Sequence, residues 1–560
     1  MDKLFFERNL LALSQKDPAL CARLSGAETT RERYRFLNSR AGEIVPALVN
    51  EDGAARPLHS LIDPEKEGNR LVSTLADEGY LIFFGLGGAF HIEAALKRQD
   101  VHRVVTVEYD IHGIAELLAS KEYIALLGDS RFHLLVDPAA GELEAFILET
   151  YQPALFGGIR LIPLRTRTAF DQGAFNAAAE EVSAAIDRLS TDYSVQAYFG
   201  RRWFANIIRN LFEAGKQQSA LPPVRNAAIC AAGPSLDRQL SFLAERRSSR
   251  YLIATDTSLP ALLQGGFQPD AVVSIDCQHI SYYHFMPVTP APLQIPLFLD
   301  LSSPPLLTAQ SAAVRFFAGG HPLARYAARY WRSFPEVDTS GANVTYAALS
   351  LAECLGAETI ELYGADFSYP LGRTYARGTY IYPYFEARQN RLAPLEARHS
   401  AFLFRTSLTK KTVGPGAWYY ETPSLRAYRE VLEAKARRQG ARLTAVPGEG
   451  APLNLACSGR SKHQGPYRLF APGKASMSAK EFLSSYRNAV AALPLPEENM
   501  ARYLERLAGG AKQILATLLP AAAALKRREH YRRCGPVLEA VKEDALAELD
   551  KVLKTGADVC

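Results

Sequence analysis

Cysteine is sparse and shows no pairing pattern. The chain has 560 residues and seven cysteines, at positions 21, 230, 277, 354, 457, 534 and 560, and none stands in a Cys-x-x-Cys or Cys/His spacing. That argues against a zinc-finger or disulfide framework and makes a reducing compartment the simplest setting. A dense Lys/Arg stripe is also missing. The 64 basic and 59 acidic residues leave a net charge of +5, which suits a small anionic ligand and argues against nucleic acid as a partner. No apolar run reaches the roughly 20 residues that span a bilayer; the stretch from Gln513 to Leu525 is short and interrupted by Pro520. The first eight residues carry Asp2, Lys3, Glu7 and Arg8, where a signal peptide would place its apolar core. A cytoplasmic protein with no membrane span is the expectation. No short internal repeat is visible.

What is present is the composition of a folded chain, 48% hydrophobic and 22% charged, long enough for several domains. Residues 1–70 read as mixed helix and loop. The apolar run Leu81–Phe84 then enters Gly85-Leu86-Gly87-Gly88 and a helical stretch, and a second run, Val104–Val107, ends at Glu108. Phe132–Val136 and Ile159–Ile162 are further buried-strand candidates. From about 168 to 218 the pattern turns helical, and Leu221-Pro222-Pro223 reads as a linker. A second alternation of strands and helices starts at Ala227, with strands expected at Ala227–Ala231, Tyr251–Ala254, Ala271–Ile275, Leu297–Leu299, Val314–Phe317 and Thr359–Tyr363. Helices are expected over Val344–Leu355 and Ser424–Arg438, and the Tyr-, Arg- and Gly-rich segment Tyr369–Tyr384 reads as a loop. Such alternation predicts parallel sheets. The expected fold class is α/β: two Rossmann-like parallel-sheet domains (1–167, with a preceding helical segment, and 223–460), a helical linker (168–222) and an all-helical C-terminal region (475–560).

The chemistry-bearing positions cluster in the second block. Gly233-Pro234-Ser235 follows a predicted strand and precedes a helix. Glycine there allows close backbone approach, and exposed first-turn N–H groups attract an anion. Asp256, Asp276 and Asp366 each follow a predicted strand, at the edge where open parallel sheets bind ligands. Such acids can hold a ribose, a base edge or a metal, or cap a helix. Thr339-Ser340-Gly341 offers a second small, hydroxyl-bearing turn before a helix, and Gly364-Ala365-Asp366 ends the last strand. Beyond it stand Tyr369, Arg373, Tyr375 and Arg377, residue types that bind phosphate oxygens. Tyr380, Tyr382 and Tyr384 alternate, and would share one packed face if extended.

The central block resembles the motility accessory factor (Maf) family of flagellin glycosyltransferases. The resemblance rests on Gly233-Pro234-Ser235-Leu236-Asp237, on the Pro269-Asp270 to Asp276 strand, and on Leu355–Ile360 running into Gly364-Ala365-Asp366. The Thr422, Leu425, Tyr428 spacing also fits. Its central domain is similar both to bacterial CMP-sialic acid sialyltransferases and to MptE-like pterin pyrophosphokinases. The sialyltransferase likeness implies a CMP site lined by Gly233, Pro234, Ser235, Thr339, Ser340, Gly341, Gly364, Ala365 and Asp366. It implies that Tyr375 and Tyr369 hold the leaving phosphate, and Asp366 is counted with these two as catalytic. Asp256 and Asp276 are taken as nucleotide-binding, although the sialyltransferase pattern tends to have Asn there. His399 is the nearest histidine to serve as base, but its surroundings do not match.

The implied activity is transfer of a nonulosonic-acid-type sugar from a CMP donor to Ser or Thr of flagellin. The donor is the CMP-activated sugar, flagellin the partner, and no resident metal is expected, with Mg²⁺ possible but not required. Two alternatives stay open: a Mg²⁺-dependent pyrophosphokinase-like enzyme and a non-enzymatic flagellar assembly factor. The first block is similar to a methyltransferase-like Rossmann fold, with Gly85, Gly87 and Glu108 where a glycine turn and a ribose-binding acid would stand. No catalytic set surrounds them, and a structural role is expected.

Overall fold

The computed structural model describes residues 3–27, 33–50, 52–75, 78–216, 221–286, 292–438, 441–455, 472–497, 499–529 and 534–556. The architecture is mixed α/β with parallel sheets and a helical C-terminal stretch. The chain divides into two compact units, Met1–Arg201 with Ala492–Asp544, and Arg202–Ala491 with Ala545–Cys560. Among the described residues no helix is long and apolar enough to cross a membrane.

In the first unit, β1 (Tyr34–Asn38), β2 (Ile44–Val49) and β3 (Ala55–Pro57) form an antiparallel sheet. This corrects the reading of residues 1–70 as helix and loop. The sheet escapes a sequence reading because Pro46 sits inside β2 opposite Phe36, and proline within a run argues against a strand. β1 is also mostly exposed, without alternation. Next come β4 (Tyr80–Phe84), β5 (Arg103–Glu108), β6 (Phe132–Val136) and β7 (Ile159–Pro163), all parallel, in the order β6-β5-β4-β7. β4 and β5 are buried along their whole length, which is why they read as unbroken apolar runs. Gly200, on the helix Gln172–Ala214, has no room for a β-carbon because the backbone at Pro520 lies against it; the helix Gly509–Glu529 continues through that proline.

The second unit is built on seven parallel strands: β8 (Asn226–Cys230), β9 (Tyr251–Thr255), β10 (Ala271–Ser274), β11 (Leu297–Asp300), β12 (Val314–Phe317), β13 (Thr359–Tyr363), and later β17 (Arg442–Ala445). Their order is β12-β11-β10-β9-β8-β13-β17. The chain winds outward from β8 to β12 and then returns to the other side of β8, so the strand order reverses between β8 and β13. Ile229, Ile253, Val273, Phe298 and Leu362 fill the core together with Leu349 and Leu351 of the helix Val344–Cys354.

A small antiparallel sheet joins β14 (Tyr369–Pro370), β15 (Thr409–Gly414) and β16 (Ala417–Glu421) in the order β14-β16-β15. Residues 369–384 are therefore not a simple loop. They begin in β14 and end in the helix Ile381–Glu386. The alternating tyrosines do not share an extended face. Tyr380 and Tyr384 lie four residues apart, with ring centroids 6.4 Å apart, while the Tyr382 hydroxyl donates to the Tyr375 carbonyl at 3.1 Å.

Candidate functional site

Ligands of open parallel sheets bind outside the carboxyl ends of the strands, where the strand order reverses. In the second unit that point lies between the turn after β8, with Gly233, Pro234 and Ser235, and the turn after β13, with Gly364, Ala365 and Asp366. The two turns grip each other. Gly233 N–H donates to the Gly364 carbonyl at 2.8 Å, and Ser235 N–H donates to Asp366 Oδ2 at 2.8 Å. A β-carbon on Gly233 would run into Gly364 and Asp366, and one on Gly364 into the Ala231 carbonyl. Gly364 also has φ +61°. These glycines thus serve the close approach of two backbone turns, and the anion seated at the start of the helix Leu236–Arg246 is the chain's own Asp366. The Ser235 hydroxyl accepts from Glu449 N–H at 2.8 Å, and Glu449 pairs with Arg238 and Arg373. Burial pushes the Asp366 carboxyl above its ordinary pKa, with the Ser235 hydrogen bonds acting against it. Ala365 and Asp366 line a cleft of about 530 Å³ that also takes in Trp418, Leu371, Glu449 and Leu453.

Asp256 and Asp276 follow the next two strands and differ sharply. Asp256 is 3% exposed. Its Oδ1 accepts from Thr257 N–H at 2.7 Å and from the Thr257 hydroxyl at 3.1 Å. Its Oδ2 accepts from the Ser274 hydroxyl at 2.6 Å and faces His284 Nδ1 at 3.3 Å. Burial alone would raise its pKa, but His284 and these hydrogen bonds bring it below the ordinary carboxyl value. Four donors leave it little capacity for a ribose. Asp276 is half-buried, with Gln278 N–H donating to Oδ1 at 2.9 Å. Burial raises its pKa, and the neighbouring Asp256 charge adds to the rise.

The tyrosines converge on the same edge. Ala376 N–H donates to the Ala232 carbonyl at 2.9 Å, which holds Tyr375 beside the turn after β8. Burial raises the pKa of Tyr369, Tyr375 and Tyr380, and in all three the positive charge of Arg405 works the other way. The positive charge of Arg405 is thus felt by all three phenols. Arg405 itself stacks on Phe402, 3.7 Å from the ring centroid, and the Tyr380 ring packs on His284 at 4.6 Å. Hydroxyls and a guanidinium at one place can hold phosphate oxygens.

Thr339, Ser340 and Gly341 stand near the end of β11, where a β-carbon on Gly319 would meet both Asp300 Oδ2 and the Thr339 hydroxyl oxygen. Thr339 and Ser340 line a second cleft, of about 750 Å³, with Gly319, Arg325, Arg329 and Asp338. Ser340 N–H donates to Asp338 Oδ1 at 3.0 Å and the Tyr346 hydroxyl to Asp338 Oδ2 at 2.7 Å. These bonds outweigh burial and hold the Asp338 carboxyl down to about 2. Gly341 has no space for a side chain, because Tyr346 lies over it. Asn343 caps the following helix by accepting Tyr346 N–H at 3.0 Å. The described hydrogen bonds do not link this turn to Asp256, Tyr369 or Tyr375.

His284 and Arg405 are site residues that sequence reasoning misses. Neither stands in a motif, and both reach the site from segments distant in sequence. His399, the histidine considered as base, has Nδ1 3.4 Å from the Thr374 hydroxyl and its ring between Tyr382 and Phe385.

In the first unit, Glu108 is fully engaged. Its Oε1 accepts from Leu86 N–H at 2.7 Å and its Oε2 from Arg167 Nε at 2.9 Å. Gly88 N–H donates to His59 Nε2 at 2.9 Å. Among the described residues one group of three could place donor atoms around a cation: His59, Glu67 and His91, within 4.8 Å of one another. Because His59 Nε2 accepts a hydrogen bond, the proton of the neutral ring sits on Nδ1, the atom that faces Glu67 at 3.7 Å. His59 has no lone pair left for a metal. Burial lowers the His91 pKa to about 4.

Residues 203–372 match the family model of 6-hydroxymethylpterin diphosphokinase MptE-like proteins. An uncharacterized protein of Treponema pallidum (strain Nichols) is 32% identical over 170 residues, 29% of this chain and 81% of that protein. The chain belongs to one family with it. A second uncharacterized protein of the same organism is 41% identical over 104 residues, 19% of this chain and 37% of that protein. Among solved structures, a MAf glycosyltransferase from Magnetospirillum magneticum AMB-1 matches with a TM-score of 0.54 at 13% identity, over 100% of this chain and 96% of the other. At that identity the likeness establishes a shared fold.

Proposed function

We propose that this chain is a glycosyltransferase that moves a nonulosonic-acid-type sugar from a CMP donor to Ser or Thr of flagellin in the cytoplasm. The observation that carries the reading is that Tyr375, held beside the turn after β8 by the Ala376–Ala232 hydrogen bond, and Tyr380, whose ring packs on His284 next to Asp256, both stand at the strand edge that carries Asp256 and Asp276. Departure of CMP develops charge on one phosphate, and preorganised hydroxyls and a guanidinium stabilise it there. Asp276, with lone pairs to spare, is the acid suited to the ribose. The block 223–460 is the nucleotide-binding domain of this reading. Gly233, Pro234, Ser235, Gly364 and Ala365 frame the crevice, and Asp366 locks its two turns together. Thr339 and Ser340 border the larger cleft, which in this reading receives the donor's sugar or the acceptor peptide, and Gly341 completes their turn. The fold shared with a MAf glycosyltransferase supports the reading.

The match of residues 203–372 to a diphosphokinase family favours a second reading, Mg²⁺-dependent pyrophosphoryl transfer. The test is to incubate the full chain with flagellin and a CMP-sugar, follow flagellin by intact-mass spectrometry, and measure CMP binding by calorimetry. A sugar-sized mass increment with CMP binding is expected. Binding of ATP but not CMP, with no mass increment, would favour the second reading; no nucleotide binding at all would leave an assembly factor.

A further inference from the structure

We infer that His284 is the general base of the transfer and Asp256 the residue that positions it, an inference that rests on the glycosyltransferase reading. His284 follows the short helix Ile280–Tyr283 and is 9% exposed. Its Nδ1 faces Asp256 Oδ2 at 3.3 Å, with the Thr257 hydroxyl at 3.5 Å. Asp256 is ionised and immobile, held by Thr257 and Ser274. A fixed carboxylate beside Nδ1 keeps the proton on that nitrogen and leaves the Nε2 lone pair as the basic site. No described hydrogen bond takes Nε2. The Tyr380 ring, packed on the imidazole, stops it from swinging away. A carboxylate with a second duty as a nucleoside ligand would not need four donors from its own chain.

The step balances as follows. The acceptor hydroxyl oxygen bonds to the anomeric carbon of the activated sugar. The bond from that carbon to the phosphate oxygen breaks, and its electron pair leaves on CMP. The hydroxyl proton passes to Nε2, and Asp256 stabilises the imidazolium until the proton is lost to water. The titratable groups facing His284 are Asp256 after β9, Asp276 after β10, and Tyr380 at the start of the helix Ile381–Glu386.

The experiment compares wild type, His284→Ala, His284→Gln and Asp256→Asn as full chains, with three readouts: CMP affinity, transfer rate against pH, and transfer in added imidazole. A positioned base contributes about 10²–10⁴-fold. The His284 variants should lose that much in kcat, keep CMP affinity, and lose the acid-side fall of the rate profile. Imidazole should restore part of the rate to His284→Ala, whose vacated site admits it, and none to His284→Gln. Asp256→Asn should slow transfer and alter the same acid limb. A folded His284→Ala chain that binds CMP and transfers at the wild-type rate overturns the assignment and leaves the glycosyltransferase reading standing. Lost activity with no imidazole rescue and an unchanged acid limb in His284→Gln would also overturn it, as a structural role. Wild type that neither binds CMP nor transfers removes the underlying reading and this inference with it.

Discussion

In each parallel sheet the strand order reverses once, beside β4 in the first unit and beside β8 in the second, and in each a glycine turn follows that strand. Backbone strain does not separate the two crevices: Ala89 and Asp137 have positive φ around the first, Phe367 and Leu371 around the second. Charge does. At the first, Glu108 (1% exposed) is paired with Arg167 (2% exposed), a β-carbon on Gly85 would meet Arg167 Cγ at 3.0 Å, and His59 Nε2 takes the Gly88 N–H. Burial would lower the Arg167 pKa, but Glu108 and its other anionic neighbours hold it above the ordinary value. At the second, burial holds Asp276 and Asp366 above the ordinary carboxyl value, and N–H and O–H donors supply their hydrogen bonds. On the proposed reading, a crevice closed by its own ion pair serves stability, whereas one that keeps acids with raised pKa serves a ligand.

The largest expected effect comes from opening the closed crevice. Arg167→Ala leaves Glu108 buried and unpaired, and loss of one partner of such a pair typically costs about 3–5 kcal/mol. Urea unfolding of the full chain should show the transition of the first unit moved by that amount. A loss below about 1 kcal/mol would mean that water or another group already serves Glu108, and the contrast between the crevices would fail. Next is Tyr375→Phe. Removing a hydroxyl that meets charge developing on the leaving phosphate should lower kcat by about 10²–10³ with CMP affinity kept. An undiminished rate would take Tyr375 out of the chemistry.

Most of the sheet of the second unit is legible in the sequence because β8 to β11 are buried along nearly their whole length and read as apolar runs. The edge strand β17, largely exposed and led by Arg442, gives no such signal and is not expected. The strand expected at Ala227–Ala231 lies at Asn226–Cys230, and Val314–Phe317 and Thr359–Tyr363 lie where expected. The strand-end acids are visible for the same reason, since the end of a run marks the end of a strand. Their partners are not. Asp256 meets His284 from 28 residues away, the charge of Arg405 acts on Tyr369 from 36 residues away, and no local spacing encodes such pairs. Tyr380, Tyr382 and Tyr384 mislead because the set fits two periods at once, every second residue of a strand and the i, i+4 pair of a helix. The strand expected at Leu297–Leu299 runs one residue further, to Asp300. This acid, 5% exposed and with its pKa raised by burial, thereby escapes notice.

A smaller effect sharpens the contrast by pH. Because the folded pKa of Asp276 is raised, its contribution to stability is fully present below the unfolded value of 3.8 and is lost as pH rises through the folded value. An asparagine side chain cannot ionise, so Asp276→Asn should gain stability relative to wild type across that window and match it in more acid solution. Denaturant midpoints over a pH series read this directly. The same substitution should weaken CMP by about tenfold if the carboxylate holds the ribose, the value of one charge-assisted hydrogen bond. Unchanged affinity would return Asp276 to a capping role for the turn at Gln278.

The smallest expected effect is that of a chelator. A CMP-sugar carries one phosphate, and hydroxyls with a guanidinium can receive its charge, whereas pyrophosphoryl transfer loads several oxygens that Mg²⁺ normally neutralises. Mg²⁺ takes one or two carboxylates along with substrate oxygens. Asp256 is saturated by Thr257, Ser274 and His284, and Asp366 is tied through Oδ2 to the Ser235 N–H of the turn after β8. Asp276 and Asp366 keep acceptor capacity, but among the described residues the three acids do not gather into a cation cluster. In the other crevice the His59 proton occupies the atom a metal would need. Transfer to flagellin should therefore proceed in EDTA at the rate seen with Mg²⁺, and Asp276→Asn should be no more sensitive to chelator than wild type. Abolition by EDTA with rescue by Mg²⁺, and loss of that rescue in Asp276→Asn, would place a metal on Asp276 and shift the reading to pyrophosphoryl chemistry.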